Sequence, residues 1–546
     1  MRTLDDIYTT IAVVLRREDI TRARREEQPE VVRNALTQQR TLLVIDNLET
    51  VDDETVMEFL RELPEPTKAV VTTRHRIDVA YPVRLAGMSA EDAMLMITQE
   101  CTRKNVRMSE EDARRLYHRT GGVPLALVWS IAQMGMGHTV DQVLTRLGQP
   151  SSDIARFCFE NVLENIEDKP AGRILTVASL FATDASRDAL GYIAELPELD
   201  RDDGLVSLEK LSLMNRVGSR FSMLPLTRQY VLARLLAHTT TELKYRELQA
   251  DYYIQMINKL KWGSASSRAL INEEMFNISA VLNHLITQGE FLAVVEIFNG
   301  YYPFLWRQGH WSRGIELLQQ VLVWAENDKR EDVEARCNHW LGRLYLYQHQ
   351  FDEAERRLLF ASKQYATSDW QWISVRTYLA QTLLRQNRIA ESRRVLQDAL
   401  PIALERKDYR GATRIYNALA EAAIRETSLN EALNWIDTGY SLSEGRNDQT
   451  TVLGQNYFLR GILERLNMNY AQAKGWVTKY KEIAEREGFV QESAQSALEL
   501  ARIACATGDT VEAVHRAEEA ETVFDRLGMI QEIRECQEIY AACGSI

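Results

Sequence analysis

Six short cores recur through the second half of this chain at nearly constant spacing. WSRGI begins at 311, FDEAE at 351, IAESR at 389, LNEAL at 429, YAQAK at 470 and TVEAV at 510, so successive offsets are 40, 38, 40, 41 and 40 residues. Upstream of several cores lies a partner helix, as in ARCNHWLGRLYLY from Ala335. A unit of two short helices cannot bury its apolar face alone, so neighbouring units must stack into one continuous core. Residues 311–546 are therefore expected to form an α-solenoid, a curved stack of antiparallel helix pairs.

The front half reads differently. Residues 1–40 carry two helical patterns, and then TLLVIDNLE runs from Thr41 to Glu49 with four consecutive apolar residues. Such a run predicts a parallel strand covered on both faces, ending at Asp46. A short helix around Glu54 to Leu63 leads to a second apolar run, Ala69 to Val71, which ends in Thr72, Thr73 and Arg74; a third, YPVRLAGMS, follows. Strands alternating with helices predict a parallel sheet. From Ser89 the strand signal stops: Ser89 with Asp92 and Ser109 with Asp112 mark helix starts, and Gly121-Gly122 closes the second helix. Several helices in 151–238 precede the hairpin-like segment Arg216 to Ser222, the order of a winged helix. Residues 239–310 read as a helical connector.

Composition bounds the function classes. At 546 residues and 62.7 kDa the chain exceeds what one core supports. A formal charge of -13 argues against a general nucleic-acid or anionic-membrane binder. Within 151–238 ten basic residues face thirteen acidic ones, and the candidate recognition helix GLVSLEKLSLMN offers one lysine beside one glutamate, too little for phosphate contacts. Arg216 and Arg220 on the hairpin are the exceptions. Six cysteines without a CxxC pair, no signal-type apolar core and no membrane-length apolar run place the protein in a reducing cytoplasm. No GxSxG or HExxH motif points to a nucleophile or metal centre. Tyr301, Tyr302, Phe304, Trp306, Trp311, Trp370 and Trp372 are read as packing between stacked helices, with a sugar- or peptide-binding groove as the alternative.

Three motifs occur together and in order: LLVIDN with Asp46 at a strand end, VVTTRHR with Arg74 at a strand tip, and GGVPLAL with Pro124 at a helix start. An acidic strand end can hold magnesium, a guanidinium can meet a phosphate, and a fixed proline can present a flat surface to a base. Read singly, Asp46 serves equally as a helix cap, Arg74 as a solvated strand-end residue and Pro124 as a helix starter. Together they resemble the nucleotide-binding module of the STAND family of signal-transduction ATPases, of the NB-ARC type. Leu341-Gly342 and Tyr345 likewise resemble the LGxxY core of a tetratricopeptide repeat, in a register longer than the usual one.

The resemblance implies a multidomain, mostly α architecture: a partial α/β P-loop NTPase core at 1–88, a helical subdomain at 89–150, a winged helix at 151–238, the connector at 239–310 and tetratricopeptide-like repeats at 311–546. It implies ATP or ADP with Mg2+ as cofactor, Asp46 as the metal ligand, Arg74 on the terminal phosphate and Pro124 on the base. The family's MHD motif falls at Met223-Leu224-Pro225 here, without its polar pair. Asn47 replaces the second acid that would position water, leaving Glu49 as the substitute general base. No GxxxxGK[ST] loop and no Gly-Lys pair occurs, so the phosphate cradle is missing and the chain alone is expected to be inactive as an ATPase. The first strand and its loop would precede Met1, as in the C-terminal part of a larger protein. The expected role is a signalling switch: repeats sense a protein or small-molecule ligand, and the nucleotide domain controls self-assembly into a homo-oligomer. The alternatives are a P-loop-less adaptor or the sensor part of a transcriptional regulator.

Overall fold

The structure, a computed structural model, describes residues 3–48, 51, 53–73, 77, 81–83, 85, 87–135, 137–147, 163, 166–260, 265–444 and 450–544. Helix Leu4–Leu15 opens with a reciprocal cap between Thr3 and Asp6 and buries Ile7, Tyr8, Ile11 and Ala12. Those side chains share a small core with Val32, Ala35 and Leu36 of helix Gln28–Gln38 and with Val56. Strands β1 (Leu42–Ile45) and β2 (Lys68–Val71) pair in parallel, Leu42 opposite Lys68. Helix Glu54–Arg61, capped by Asp53, makes the crossover that parallel pairing demands.

One expectation fails here. β1 is not covered on both faces: Leu43 and Ile45 meet the helical core, whereas Leu42 and Val44 stay 62% and 67% exposed. Among the described residues the sheet has two strands with helices packed on one side, so the pleat sends alternate side chains outward. The described residues of YPVRLAGMS form no strand, and Tyr81, Val83 and Leu85 are exposed.

Helices Ala90–Lys104 and Glu110–Thr120 begin at Ser89 and Ser109, whose hydroxyls accept from the Asp92 and Asp112 amides. Further along, helix Pro170–Ala178, the short strand β3 (Ala185–Ser186) and helices Arg187–Ile193 and Glu198–Lys210 lead to strands β4 (Met214–Val217) and β5 (Arg220–Met223), and the three strands form an antiparallel sheet ordered β3-β5-β4. Gly218, at φ 62°, makes the β4–β5 turn. Arg220 does not point to solvent. Its guanidinium donates to Asp184 Oδ1 at 2.9 Å and to Glu274 Oε1 at 2.7 Å, and Glu274 is fully buried in helix Ala265–Gln288. Tyr253 and Asn277 donate to the other Glu274 oxygen. The hairpin arginine is thus committed within the chain, which removes it as a DNA contact.

From Phe291–Gln308 onward the helices run in pairs with Trp311–Asn327, then Glu331–Tyr347 with Phe351–Gln364, Trp370–Arg385 with Ile389–Glu405, Tyr409–Arg425 with Leu429–Ser443, Thr450–Leu466 with Tyr470–Glu487, and Val490–Ala506 with Thr510–Leu527. Each repeated core heads the second helix of its pair. Small side chains sit at one register position, Ala354, Ser392, Ala432, Ala473 and Ala513, all fully buried, followed one step further by Leu358, Leu396, Ile436, Val477 and Ala517. This single stripe faces the first helices, which are buried on most sides and form the inner layer of the solenoid. Gly342 and Gly461 allow close approaches within their pairs: a Cβ on Gly342 would lie 2.5 Å from Leu358 Cγ, and one on Gly461 2.3 Å from a Val477 methyl. Gly342→Ala is therefore expected to destabilise the array by about 1–3 kcal/mol through overpacking, measured as a lowered urea midpoint; an unchanged midpoint would mean the pair separates freely.

The stack curls back on itself. Arg268 near the start of helix Ala265–Gln288 donates to the Glu487 carbonyl at 2.7 Å, joining the beginning of the helical array to its fourth-from-last helix. Among the described residues no helix is long and apolar enough to cross a membrane.

Candidate functional site

At the β1 tip the Thr72 hydroxyl donates to Asp46 Oδ1 at 2.5 Å and accepts from the Asn47 amide at 2.8 Å, so β2 fixes the carboxylate's orientation. Pro124 is the first residue of helix Pro124–Gly135 and is exposed. It follows Gly121 and Gly122, whose positive φ angles let the backbone press against Met88: the Met88 amide donates to the Gly122 carbonyl at 2.9 Å. Arg74 and Glu49 lie outside the described residues. Among the described residues no three His, Cys, Asp or Glu side chains are grouped to hold a metal. Asp46 is one carboxylate already engaged by a hydroxyl, and the sequence has no Gly-Lys pair to cradle phosphates. The described residues therefore do not by themselves fit ATP or ADP with Mg2+, and no chemical step is routed through that group.

A second site joins the front domain to the repeats. The five-residue helix Glu18–Arg22 and the turn after it are wedged between early and late repeats. On the early side, the Arg22 guanidinium carbon lies 4.5 Å from the Trp311 ring centre, Gln348 donates to the Arg22 carbonyl at 2.9 Å, Ser312 donates to the Ala23 carbonyl, and Arg25 pairs with Glu316 at 2.8 Å. On the late side, Glu18 pairs with Arg526 at 3.1 Å, and Gly528 lies so close to Asp19 that a Cβ there would meet the Asp19 Cβ at 2.7 Å. Asp19 is held by Arg17 through both carboxylate oxygens. Asp19, Thr21, Arg22 and Gln28 are all buried, unusual for polar side chains. A cavity of about 40 Å³ beside Thr21, Arg25, His310 and Glu316 has room for little more than a water molecule.

His310 is buried under this wedge. Burial, with Arg22 adding repulsion, pushes its pKa down to about 4. Above pH 6.5 the imidazole is neutral in both folded and unfolded chains and adds no pH dependence. Between pH 6.5 and 4 the unfolded chain binds a proton that the native one refuses, so stability falls as pH falls, by up to about 3 kcal/mol. His310→Gln is expected to flatten this part of the curve of unfolding midpoint against pH; an unaltered slope would place the acid sensitivity elsewhere.

The inner helices carry a third feature, which sequence reasoning missed. Arg343 lies among rings of neighbouring inner helices: its guanidinium carbon is 4.9 Å from the Tyr302 ring centre, 5.4 Å from Trp306 and 4.4 Å from Tyr378. Trp306 and Trp311 both pack on Tyr347, with centroids 5.5 and 5.7 Å away. Of the aromatics singled out in the sequence, Tyr301, Tyr302, Phe304, Trp311 and Trp372 are buried as core, and Trp370 is exposed. The available signal was arginine recurring along the inner helices, at 336, 343, 376, 410 and 414.

No family model matches the sequence, and no curated protein does. Among solved structures, the chain is similar to a signal transduction ATPase with numerous domains (STAND) that has a tetratricopeptide repeat sensor, from Pyrococcus horikoshii. The TM-score is 0.61 at 14% identity, over 98% of this chain and 76% of that one. A Rap protein complexed with Competence and Sporulation Factor matches over 49% of this chain and 87% of its own, at TM-score 0.34 and 14% identity. The fold is thus that of a tetratricopeptide-like helical repeat array, similar as a whole to a repeat-bearing STAND protein.

Proposed function

We propose that this chain is the sensor-bearing part of a STAND-type signalling switch. The repeats take up a ligand or partner protein, and the Glu18–Arg25 wedge couples that event to the front domain and to self-assembly. The observation that carries this reading is the wedge itself: one short segment of the front domain is held by Trp311 and Gln348 on one side and by Arg526 and Gly528 on the other. A change in the pitch of the array would alter one of those contacts, and in this reading the seated and released wedge are the two arrangements that a ligand biases. In this reading residues 1–88 belong to a nucleotide-binding core, with Asp46 on Mg2+, Arg74 on phosphate and Pro124 on the base of ATP or ADP. The groups that cradle the phosphates would come from outside the described residues. Residues 151–238 serve as a regulatory winged helix, and 239–310 connect it to the repeats.

The test is release of the wedge by charge reversal. Arg526→Glu sets two carboxylates against each other at Glu18, and light scattering after size exclusion should show larger species than the unaltered chain forms. An identical mass for both, with equal tryptic cleavage at Arg24 and Arg25, would overturn the coupling.

A second reading, an adaptor whose front half is structural, is favoured by Asn47 and by the missing phosphate cradle. It requires that residues 239–546 alone bind a given partner as tightly as the whole chain does. Dependence of binding on the front half would exclude it.

A further inference from the structure

The six cysteines carry no pairing pattern in the sequence, yet the structure sets two of their thiols together. Cys505 lies in the last turn of helix Val490–Ala506 and Cys543 in the last turn of helix Ile530–Gly544, and the Cys543 S–H donates to Cys505 Sγ at 3.7 Å. Both are half-buried, whereas the other described cysteines, Cys101, Cys337 and Cys536, are buried. Burial pushes the Cys337 and Cys536 thiols up to about 12, so neither offers a thiolate near neutral pH. Cys158 lies outside the described residues. Among the described residues, therefore, the two cysteines that solvent reaches are the two that touch.

The contacts around the pair hold it in place. Both thiols border the small apolar core of the last three helices, which is built largely of alanine. Tyr540 donates to Glu521 at 2.7 Å and Arg502 donates to Glu535 at 2.5 Å, so helix Ile530–Gly544 is fastened to both preceding helices. A disulfide brings its sulfurs to about 2.05 Å, a short closure from the packed contact.

We propose that Cys505 and Cys543 form a reversible disulfide on exposure to hydrogen peroxide, and that this bond clamps the last helices of the array together. In the first step the Cys505 thiolate attacks one peroxide oxygen, the O–O bond breaks, and Cys505 becomes a sulfenic acid. The hydroxide that leaves takes up the proton Cys505 released. In the second step the Cys543 sulfur attacks the Cys505 sulfur, the S–O bond breaks and water departs with the Cys543 proton. Two thiols and one peroxide thus give one disulfide and two waters; the thiols lose two electrons and the peroxide gains them. Cys543 is the resolving partner because it is the hydrogen-bond donor, and burial, with Cys505 beside it, holds its thiol protonated above the usual range. The bond closes a loop that contains the whole of helix Thr510–Leu527. That helix carries Arg526, the partner of Glu18, and the loop includes Gly528, which lies against Asp19. Closing the loop removes conformations from the unfolded array and so stabilises the late seat of the wedge. The bond itself stands apart from the switch reading, and only its bearing on the wedge rests on that reading.

The experiment treats the full chain with hydrogen peroxide, blocks the remaining thiols with N-ethylmaleimide and digests with trypsin and a glutamate-specific protease, which separates Cys536 from Cys543 at Glu538. The expected product is a fragment pair joining Cys505 to Cys543 that dithiothreitol separates. Cys543→Ser should instead carry Cys505 on to sulfinic acid, because the resolving thiol is gone. Amides of helix Ile530–Gly544 should exchange about tenfold or more slowly in the oxidised chain than in the reduced one, and peroxide should bring no such slowing in Cys543→Ser. No bond between Cys505 and Cys543, a bond to Cys536 in its place, or equal oxidation of the buried Cys101 and Cys337 would overturn the proposal. A bond that leaves the exchange of that helix unchanged would overturn the clamp. Tryptic cleavage at Arg24 and Arg25 in Arg526→Glu separates this inference from the switch. Cleavage slowed by oxidation ties the clamp to the wedge, and equal cleavage in both redox states overturns that tie. If Arg526→Glu releases no wedge in either state while the bond forms, the switch fails and the disulfide stands.

Discussion

Arg220→Met is expected to destabilise the junction between the hairpin sheet and the repeat array by about 3–5 kcal/mol, the cost of leaving a buried carboxylate without its cation. Glu274 is fully buried, and its charge is matched by Arg220 at 2.7 Å, with Tyr253 and Asn277 donating to the remaining oxygen. Burial and the adjacent Glu274 hold the Tyr253 hydroxyl well above its usual pKa, so it remains a donor. The cluster also fastens the strand-leading turn, because Asn277 Oδ1 accepts from the Ala182 and Thr183 amides. The double variant Arg220→Met, Glu274→Gln should recover most of the loss, since no unpaired charge then remains. Urea titration followed by tryptophan fluorescence reads both values. A loss below about 1 kcal/mol for the single variant would mean that water reaches Glu274 in solution.

Trp311→Ala should cost about 3–5 kcal/mol at the first repeat, as truncation of a buried large aromatic does, and should expose the wedge to protease. Trp311 is 6% exposed, packs on Tyr347, donates its indole N–H to the Trp306 carbonyl at 2.8 Å and lies beneath the Arg22 guanidinium. Its loss removes the face that compensates Arg22, whose pKa burial has already pushed down to about 10. Tryptic cleavage at Arg24 and Arg25 should accelerate along with the fall in the unfolding midpoint. A lowered midpoint with cleavage unchanged would show that the wedge is seated by its late-repeat contacts alone.

The repeats were legible because their signal is local and repeated: each of the six cores does head a helix, and the LGxxY glycine, Gly342, lies where Leu358 leaves no room for a side chain. The hairpin was legible because its signal is local too, in the segment Arg216 to Ser222 that turns at Gly218. The wedge was not. Helix Glu18–Arg22 has five residues, too few for a periodic pattern, and its partners Trp311, Gln348 and Arg526 lie hundreds of residues away. Arg220 stayed a candidate nucleic-acid contact on the hairpin for a similar reason, since nothing local announces Glu274. The β1 run misled in the opposite direction. Four apolar residues predict two covered faces, yet Leu42 and Val44 find no neighbour on the outer side among the described residues. Asp46 and Pro124 sit at a strand end and a helix start as their motifs require, but local geometry of that kind also suits a capping aspartate and a helix-starting proline.

The coupling of front domain to repeats depends on the wedge being seated, and hydrogen exchange measures that directly. Backbone amides of residues 20–23, at the buried helix Glu18–Arg22, should be strongly protected in the unaltered chain. In Arg526→Glu they should lose that protection together with the amides around Arg268 and Gly488, where the array closes. Fast exchange at residues 20–23 in the unaltered chain, or loss confined to the neighbourhood of residue 526, would contradict a wedge that links the front domain to the late repeats.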